Sequence, residues 1–408
     1  MLFKTTTRLR AFAALSLTAA LCVSAQVSNP PYSNPTGDEF PILAWYSVLG
    51  DDNITPERYH ELREAGVNLS FSHFQHNDEI DKALAACDGT GVKLILTSYE
   101  LVDSTEATIA RYKGNPNVAG YFLRDEPTTS AFASLRRFRD RVYNADRDHL
   151  VYLNLLPSIV EPAGLEAESY DDYVERFIKE VDIPLVSYDF YPIVNVDDSI
   201  FIRDTFFENL EIASRVSQAN GRPFWSFCLA TQHDPYPMPT AVHLRHEAFS
   251  ALAYGAQAIE YFTYWTPDSK TWNFRNAPID KCGRRTAVWY LMRDVNREIH
   301  NLTDVFLGAK LEDASHTGAV IPKGTKRLTA LPERFTKLEA DGEGVLVSQL
   351  SNGDKKYVMI VNRDIDHSQS VALGFDGAIH RVLPDGSLGA APEKFTIAPG
   401  DYLLLALR

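Results

Sequence analysis

The sequence is poor in cysteine and short of basic residues relative to acids. It also carries no Gly-rich phosphate fingerprint after any candidate strand. Of its four cysteines one lies in the first 25 residues, which leaves Cys87, Cys228 and Cys282. An odd trio in an oxidising compartment excludes a disulfide framework, and small buried hydrophobes is the plain reading of all three. Lys+Arg 40 against Asp+Glu 54 gives a net charge of −14. That balance argues against nucleic-acid partners, whose phosphates must be neutralised by Lys and Arg. The missing glycine fingerprint argues against a dinucleotide cofactor, and no cofactor is expected. With 45% hydrophobic and 23% charged residues, the chain as a whole is globular, not disordered, collagenous or coiled coil.

The first 25 residues read as an address. Lys4, Arg8 and Arg10 precede the apolar run 11–22, which is too short to span a bilayer, and Val23-Ser24-Ala25 supplies small residues for cleavage. Leu21 before Cys22 does not match a lipoprotein signal. The expectation is a cleavable signal peptide over 1–25, a secreted or periplasmic protein, and no membrane span. Removing three positive charges from a net of −14 leaves a chain near −17.

From residue 40 to about 302, short β-rich apolar runs alternate with helical patterns. Candidate strands are Pro41–Leu49, Val67–Phe74, Val92–Ser98, Val118–Leu123, Leu150–Leu155, Leu185–Tyr191, Phe224–Leu229 and Ala258–Trp265. A helical pattern follows each, the first opened by Thr55-Pro56 and closed by Gly66. Eight βα units in strict alternation predict an α/β fold, a closed (β/α)8 TIM barrel. Beyond it, short strands between Asn352-Gly353, Pro384-Asp385-Gly386 and Pro399-Gly400 turns predict a C-terminal antiparallel β-sandwich, with 308–331 as a link. The expected organisation is signal peptide 1–25, extension 26–39, barrel 40–304 and sandwich 305–408.

Barrels of this kind keep their chemistry at the C-terminal ends of the strands. The run Gly120-Tyr121-Phe122-Leu123-Arg124-Asp125-Glu126-Pro127 drives two acids out of a buried strand, which is costly unless they are paired or functional. An Arg124–Asp125 salt bridge with Glu126 as a helix cap is the alternative. Trp45, Tyr46, Tyr99, Tyr188, Tyr191, Tyr264 and Trp265 also fall near strand ends. Flat amphipathic rings beside carboxylates suit sugars, so the expected partner is a carbohydrate. His243, His246 and Glu247 have metal-like spacing, but an outer helix is the wrong place, and a solvated surface is expected there with no metal site.

These residues resemble the clan A barrel glycoside hydrolases, especially the family 42 β-galactosidases and their secreted relatives. The likeness is carried by Arg124-Asp125-Glu126-Pro127, similar to the family's Asn-Glu-Pro, and by Val186–Pro192. It is carried further by Pro223-Phe224-Trp225, and by Leu252–Ala256 leading to Tyr261–Trp265. The resemblance implies that Glu126 is the acid/base and that Asp125 replaces the Asn that touches the sugar 2-hydroxyl. It also implies a nucleophile glutamate on the seventh strand, where this chain has Cys228.

Three accounts of that gap stay open. In the first, a second carboxylate lies elsewhere: Asp189 is preferred, Glu100 and Asp234 are loop alternatives, and Glu260 reads better as a core ion pair. In the second, Cys228 is the nucleophile. In the third, hydrolysis is lost and a carbohydrate-binding barrel remains; a structural cell-surface role for the sandwich is a further rival. The expectation is a secreted glycoside hydrolase with Glu126 and Asp189 catalytic. Tyr46, His73, Asp125, Asn154, Tyr191, Cys228, Gln232, His233 and Trp265 are expected to contact substrate.

Overall fold

The computed structural model describes residues 30–407, so the expected signal peptide lies outside the described residues. Six parallel strands run in sequence: β1 (Ile42–Trp45), β2 (Leu69–Phe71), β3 (Lys93–Leu96), β4 (Val118–Asp125), β5 (Leu150–Leu155) and β6 (Val186–Tyr188). A hairpin of β7 (Ile193–Val196) and β8 (Ser199–Ile202) interrupts them before β9 (Phe224–Leu229) and β10 (Ile259–Phe262). β6 pairs with β9, and β10 pairs with β1, which closes the eight-stranded barrel. All eight predicted barrel strands are present in their predicted order.

Helices join the strands where the punctuation placed them. Pro56–Glu64 begins after Thr55 with proline in its first turn. It stops before Gly66, whose φ of +81° and close approach to Asn296 leave no room for a Cβ. The helix after β2 spans Asn77–Cys87.

Strand alternation divides the barrel core in two. Leu43, Trp45, Phe122, Leu150, Tyr152, Trp225 and Phe227 point inward and pack on one another, with Tyr32 of the N-terminal extension packed against them. Their sequence neighbours face the helices and join a larger core.

The C-terminal region is a sandwich of two antiparallel sheets. One contains β11 (Lys310–His316), β13 (Val345–Asn352), β14 (Lys355–Asn362), β16 (Ile379–Val382), β17 (Leu388–Ala390) and β19 (Tyr402–Leu407). The other contains β12 (Phe335–Ala340), β15 (Gln369–Phe375) and β18 (Lys394–Ile397). The expected link 308–331 is corrected here, because its first part is β11, an edge strand paired with β13.

The sandwich packs on the barrel's Ala241–Ala253 helix, where Phe249 meets Tyr402 and Arg245 bridges Glu298 and Asp401. That covering overturns the expected solvated surface for His246, and Glu247 is buried too, while His243 is half-buried. Glu247 accepts the Leu229 N–H at 2.7 Å, and burial raises its carboxyl to about 8. Among the described residues no helix is long and apolar enough to cross a membrane.

Candidate active site

A cleft of about 630 Å³ opens at the C-terminal ends of the barrel strands. Every residue lining it precedes residue 275, so the sandwich contributes none. The cleft is built by strand register. On β6 Ser187 faces inward and Tyr188 outward, so Asp189 and Tyr191, two and four residues beyond Ser187, both reach the cleft.

On β4 an extra residue does the aiming. Phe122 pairs with Tyr152 and Asp125 with Asn154, three steps on one strand against two on the other. This bulge brings Asp125 inward, where the regular alternation would have placed Arg124. Glu126 follows with φ of +44°, its N–H bonded to the Asn154 carbonyl at 2.9 Å. The Arg124–Asp125 salt bridge is absent among the described residues, and Asp125 instead accepts from Asn154 Nδ2 at 3.2 Å.

Asp125, Glu126 and Asp189 thus form one carboxyl cluster. Glu126 and Asp189 lie within reach of a shared proton. Partial removal from water raises Glu126. The same effect, together with the charges of Glu126 and Asp125, raises Asp189 well above the carboxylate range. Asp125 is pushed up to about 7, first by desolvation and then by Glu126. Asp189 Oδ1 has no hydrogen-bond partner among the described residues.

Asn154 connects the cluster to the barrel interior. Its Oδ1 accepts from Ser187 Oγ at 3.2 Å, and Ser187 Oγ also reaches Glu260 Oε2 at 2.7 Å. Glu260 is fully buried, bonded to the Tyr152 hydroxyl as well, and raised by burial to about 8. The expected core ion pair at Glu260 is therefore corrected: its partners are two hydroxyls, and burial favours its neutral form.

Of the other expected site residues, Tyr46, Asn154, Tyr191 and His233 line the cleft. His233 is nearly buried against Tyr236 and Phe274, and desolvation lowers its imidazole to about 4, so it is neutral. His73, also expected to contact substrate, is outside the cleft lining and stands exposed beside Trp45 and Tyr46.

Three more expected contacts are corrected. Cys228 points outward toward the Ala241–Ala253 helix, buried near Glu247, and desolvation pushes its thiol well up. Phe227 takes the inward position and lines the cleft. Trp265 is 3% exposed and packs in the outer core with Arg58 over its ring. Gln232 is outside the cleft lining and accepts from Asn276 Nδ2 at 2.7 Å.

The loop alternatives for a second acid are also outside the lining. Glu100 pairs with His76, and Asp234 with Asn273 and Arg275. Of the seven rim aromatics, Trp45, Tyr46 and Tyr191 line the cleft. Tyr188 and Tyr264 turn outward to Ser226 and Trp289, and Tyr99 is exposed on a short helix. The walls include rings the sequence reading missed: Tyr236, Phe262, Trp272 and Phe274. Trp272 and Phe274 had a sequence signal in the aromatic stretch after β10, and Phe262 lay within the Tyr261–Trp265 run, whereas Tyr236 had none. Among the described residues no group of three or more His, Cys, Asp or Glu side chains is placed to hold a metal ion.

No family model matches the chain, and no curated protein matches it in sequence. Solved structures do match. A GH42 β-galactosidase from G. stearothermophilus superposes with a TM-score of 0.62 at 9% identity, covering 93% of this chain and 100% of its own. The β-galactosidase of Bacillus circulans sp. alkalophilus gives 0.59 at 10%, covering 91% and 99%. That of Rahnella sp. R3 gives 0.55 at 10%, covering 93% and 100%. At such identities the likeness is one of fold, and this chain has the barrel-and-sandwich architecture of the GH42 β-galactosidases.

Proposed function

We propose that the chain is a glycoside hydrolase that protonates the leaving oxygen of a saccharide from the Glu126–Asp189 pair. One observation carries this reading: three carboxyls, Asp125, Glu126 and Asp189, gather in an aromatic-walled cleft at the catalytic end of the barrel, where desolvation raises each of them. Carboxyls this close cannot both ionise near neutrality, so one stays protonated where an acid catalyst is needed. Glu126 is the more exposed of the two and faces the substrate, while Asp189 holds the proton in place and carries charge once it has left.

This assignment changes the expected role of Asp189. Retaining hydrolysis with two carboxylates requires about 5–5.5 Å between them, and inverting hydrolysis about 6.5–9.5 Å. Asp189 neighbours Glu126 within one cluster, which does not suit an opposed nucleophile or an opposed base. A sugar-binding barrel without hydrolysis is the second reading, and Phe227 favours it, because the inward position at the end of β9 bears no acid.

The test is a panel of aryl glycosides and polysaccharides, with release and anomer of the sugar followed by NMR for the parent, Glu126→Gln and Asp189→Asn chains. Cleavage lost in Glu126→Gln supports the acid. Cleavage that survives it removes Glu126 from the mechanism, and binding with no cleavage anywhere selects the second reading. Export through a leader over 1–25 belongs to the same proposal. So does a junction near 304–310, where the barrel's last helical turn gives way to β11. Amino-terminal sequencing of the exported protein checks the leader.

A further inference from the structure

The cleft has an acid but no second carboxyl opposite it. Its lining contains four acidic residues, and three of them, Asp125, Glu126 and Asp189, form the single cluster. The fourth, Asp268, has a side chain 94% exposed at the rim and held by Lys281 at 2.8 Å. The inward face of the seventh barrel strand is Phe227, set edge to face against Trp45 with ring centroids 5.6 Å apart. Neither two-carboxylate mechanism has its second group among the lining residues, yet a third carboxyl, Asp125, stands beside the proton donor.

Resting on the hydrolase reading, we propose that the nucleophile belongs to the substrate, a 2-acetamido-2-deoxy sugar whose own acetamido oxygen attacks the anomeric carbon. This route is one of the known departures from the two-carboxylate pattern. The acetamido carbonyl oxygen forms a bond to C1 as the C1–O bond to the leaving group breaks. The proton shared by Glu126 and Asp189 passes to the departing oxygen. The product is an oxazolinium ion, and the cluster, now more negative by one, faces its positive charge.

Asp125, one residue from Glu126 and held by Asn154, accepts the acetamido N–H and stabilises that cation. Trp45, Phe227 and Phe262 offer the acetyl methyl an apolar wall. Water then adds to C1, its proton returns to the carboxyl pair, and the bond from C1 to the acetamido oxygen breaks. The acetamido group is restored and the anomer is retained.

The experiment compares matched methylumbelliferyl β-glycosides, N-acetylglucosaminide and N-acetylgalactosaminide against glucoside and galactoside, together with N-acetylchitooligosaccharides and their 2-hydroxy counterparts. The full chain is used, alongside Asp125→Asn, with circular dichroism to confirm that the variant folds. We expect acetamido substrates to be preferred by about 100-fold or more, the anomer to be retained, and a trifluoroacetamido analogue to react far more slowly. Asp125→Asn should lose at least about 100-fold, the scale of a positioned catalytic group.

Equal cleavage of 2-hydroxy sugars, inversion, or indifference to fluorination would overturn the proposal while leaving the hydrolase reading standing. Cleavage of neither class overturns both.

Discussion

Ser187 Oγ meets Glu260 Oε2 at 2.7 Å inside the barrel, so this buried acid is held by hydroxyls and not by a cation. Glu260 titrates near 4.5 when unfolded and near 8 when folded. Below pH 4.5 both states bind the proton. Between the two values only the folded state does, so stability is lost as pH rises through that window. Glu260→Gln removes this contribution. The variant should therefore gain on the parent by several degrees in Tm between pH 5 and pH 8, as read by thermal melts across that range. A constant difference across those melts would mean that Glu260 is ionised in the fold.

Trp265 and Trp272 make a pair with opposite expectations. Trp265 is buried beneath Arg58, and Trp→Ala in such a site costs about 3–5 kcal/mol. Trp272 is 53% exposed and lines the cleft. Trp265→Ala should lower Tm sharply, while Trp272→Ala should leave Tm within a degree or two and raise KM, or a sugar Kd, by about 10-fold, the scale of one aromatic contact. The reverse pattern would return Trp265 to the sugar site.

That pair also shows where sequence reading stops. The eight barrel strands were legible because parallel strands buried on both faces are continuous apolar runs between capped helices. The acids were legible because Asp125 and Glu126 end such a run. Which face a side chain takes was not legible, since one residue of register moves it from cleft to outer core, as with Phe227 and Cys228. The bulge that turns Asp125 inward leaves no mark in composition. β11, Lys-Leu-Glu-Asp-Ala-Ser-His, reads as polar linker because one of its faces is exposed at a sheet edge. His246 reads as surface because nothing in its helix announces the sandwich that covers it, and Glu247 because nothing announces that it turns in to the Leu229 N–H of β9.

The cysteines separate by exposure. Cys282 is exposed, whereas Cys87 and Cys228 are buried, with burial pushing Cys87 up to about 12. Under native conditions iodoacetamide should label Cys282 and spare the other two, counted by mass spectrometry of the peptides; all three should react in denaturant. Cys228→Ser should keep cleavage within about 3-fold of the parent, since a thiol facing the outer helices cannot reach a sugar. A loss of about 100-fold or more in a folded variant would restore the thiolate account.

The Glu126–Asp189 pair sets the alkaline limit of activity. Desolvation raises both carboxyls, and the charges of Glu126 and Asp125 raise Asp189 further, so the pair holds a proton above the usual carboxylate range. The acid form is lost as pH rises through its apparent value, so kcat/KM should fall on the alkaline side. Asp189→Asn takes away a negative neighbour and supplies an amide that donates to ionised Glu126, and both changes favour the charged form. The limb should therefore move to lower pH, with activity at pH 7 reduced by about 10-fold or more and largely regained near pH 5. A profile of kcat/KM from pH 4 to 9 decides it. An unmoved limb would mean that Glu126 keeps its proton without help from Asp189, and that the two carboxyls act separately.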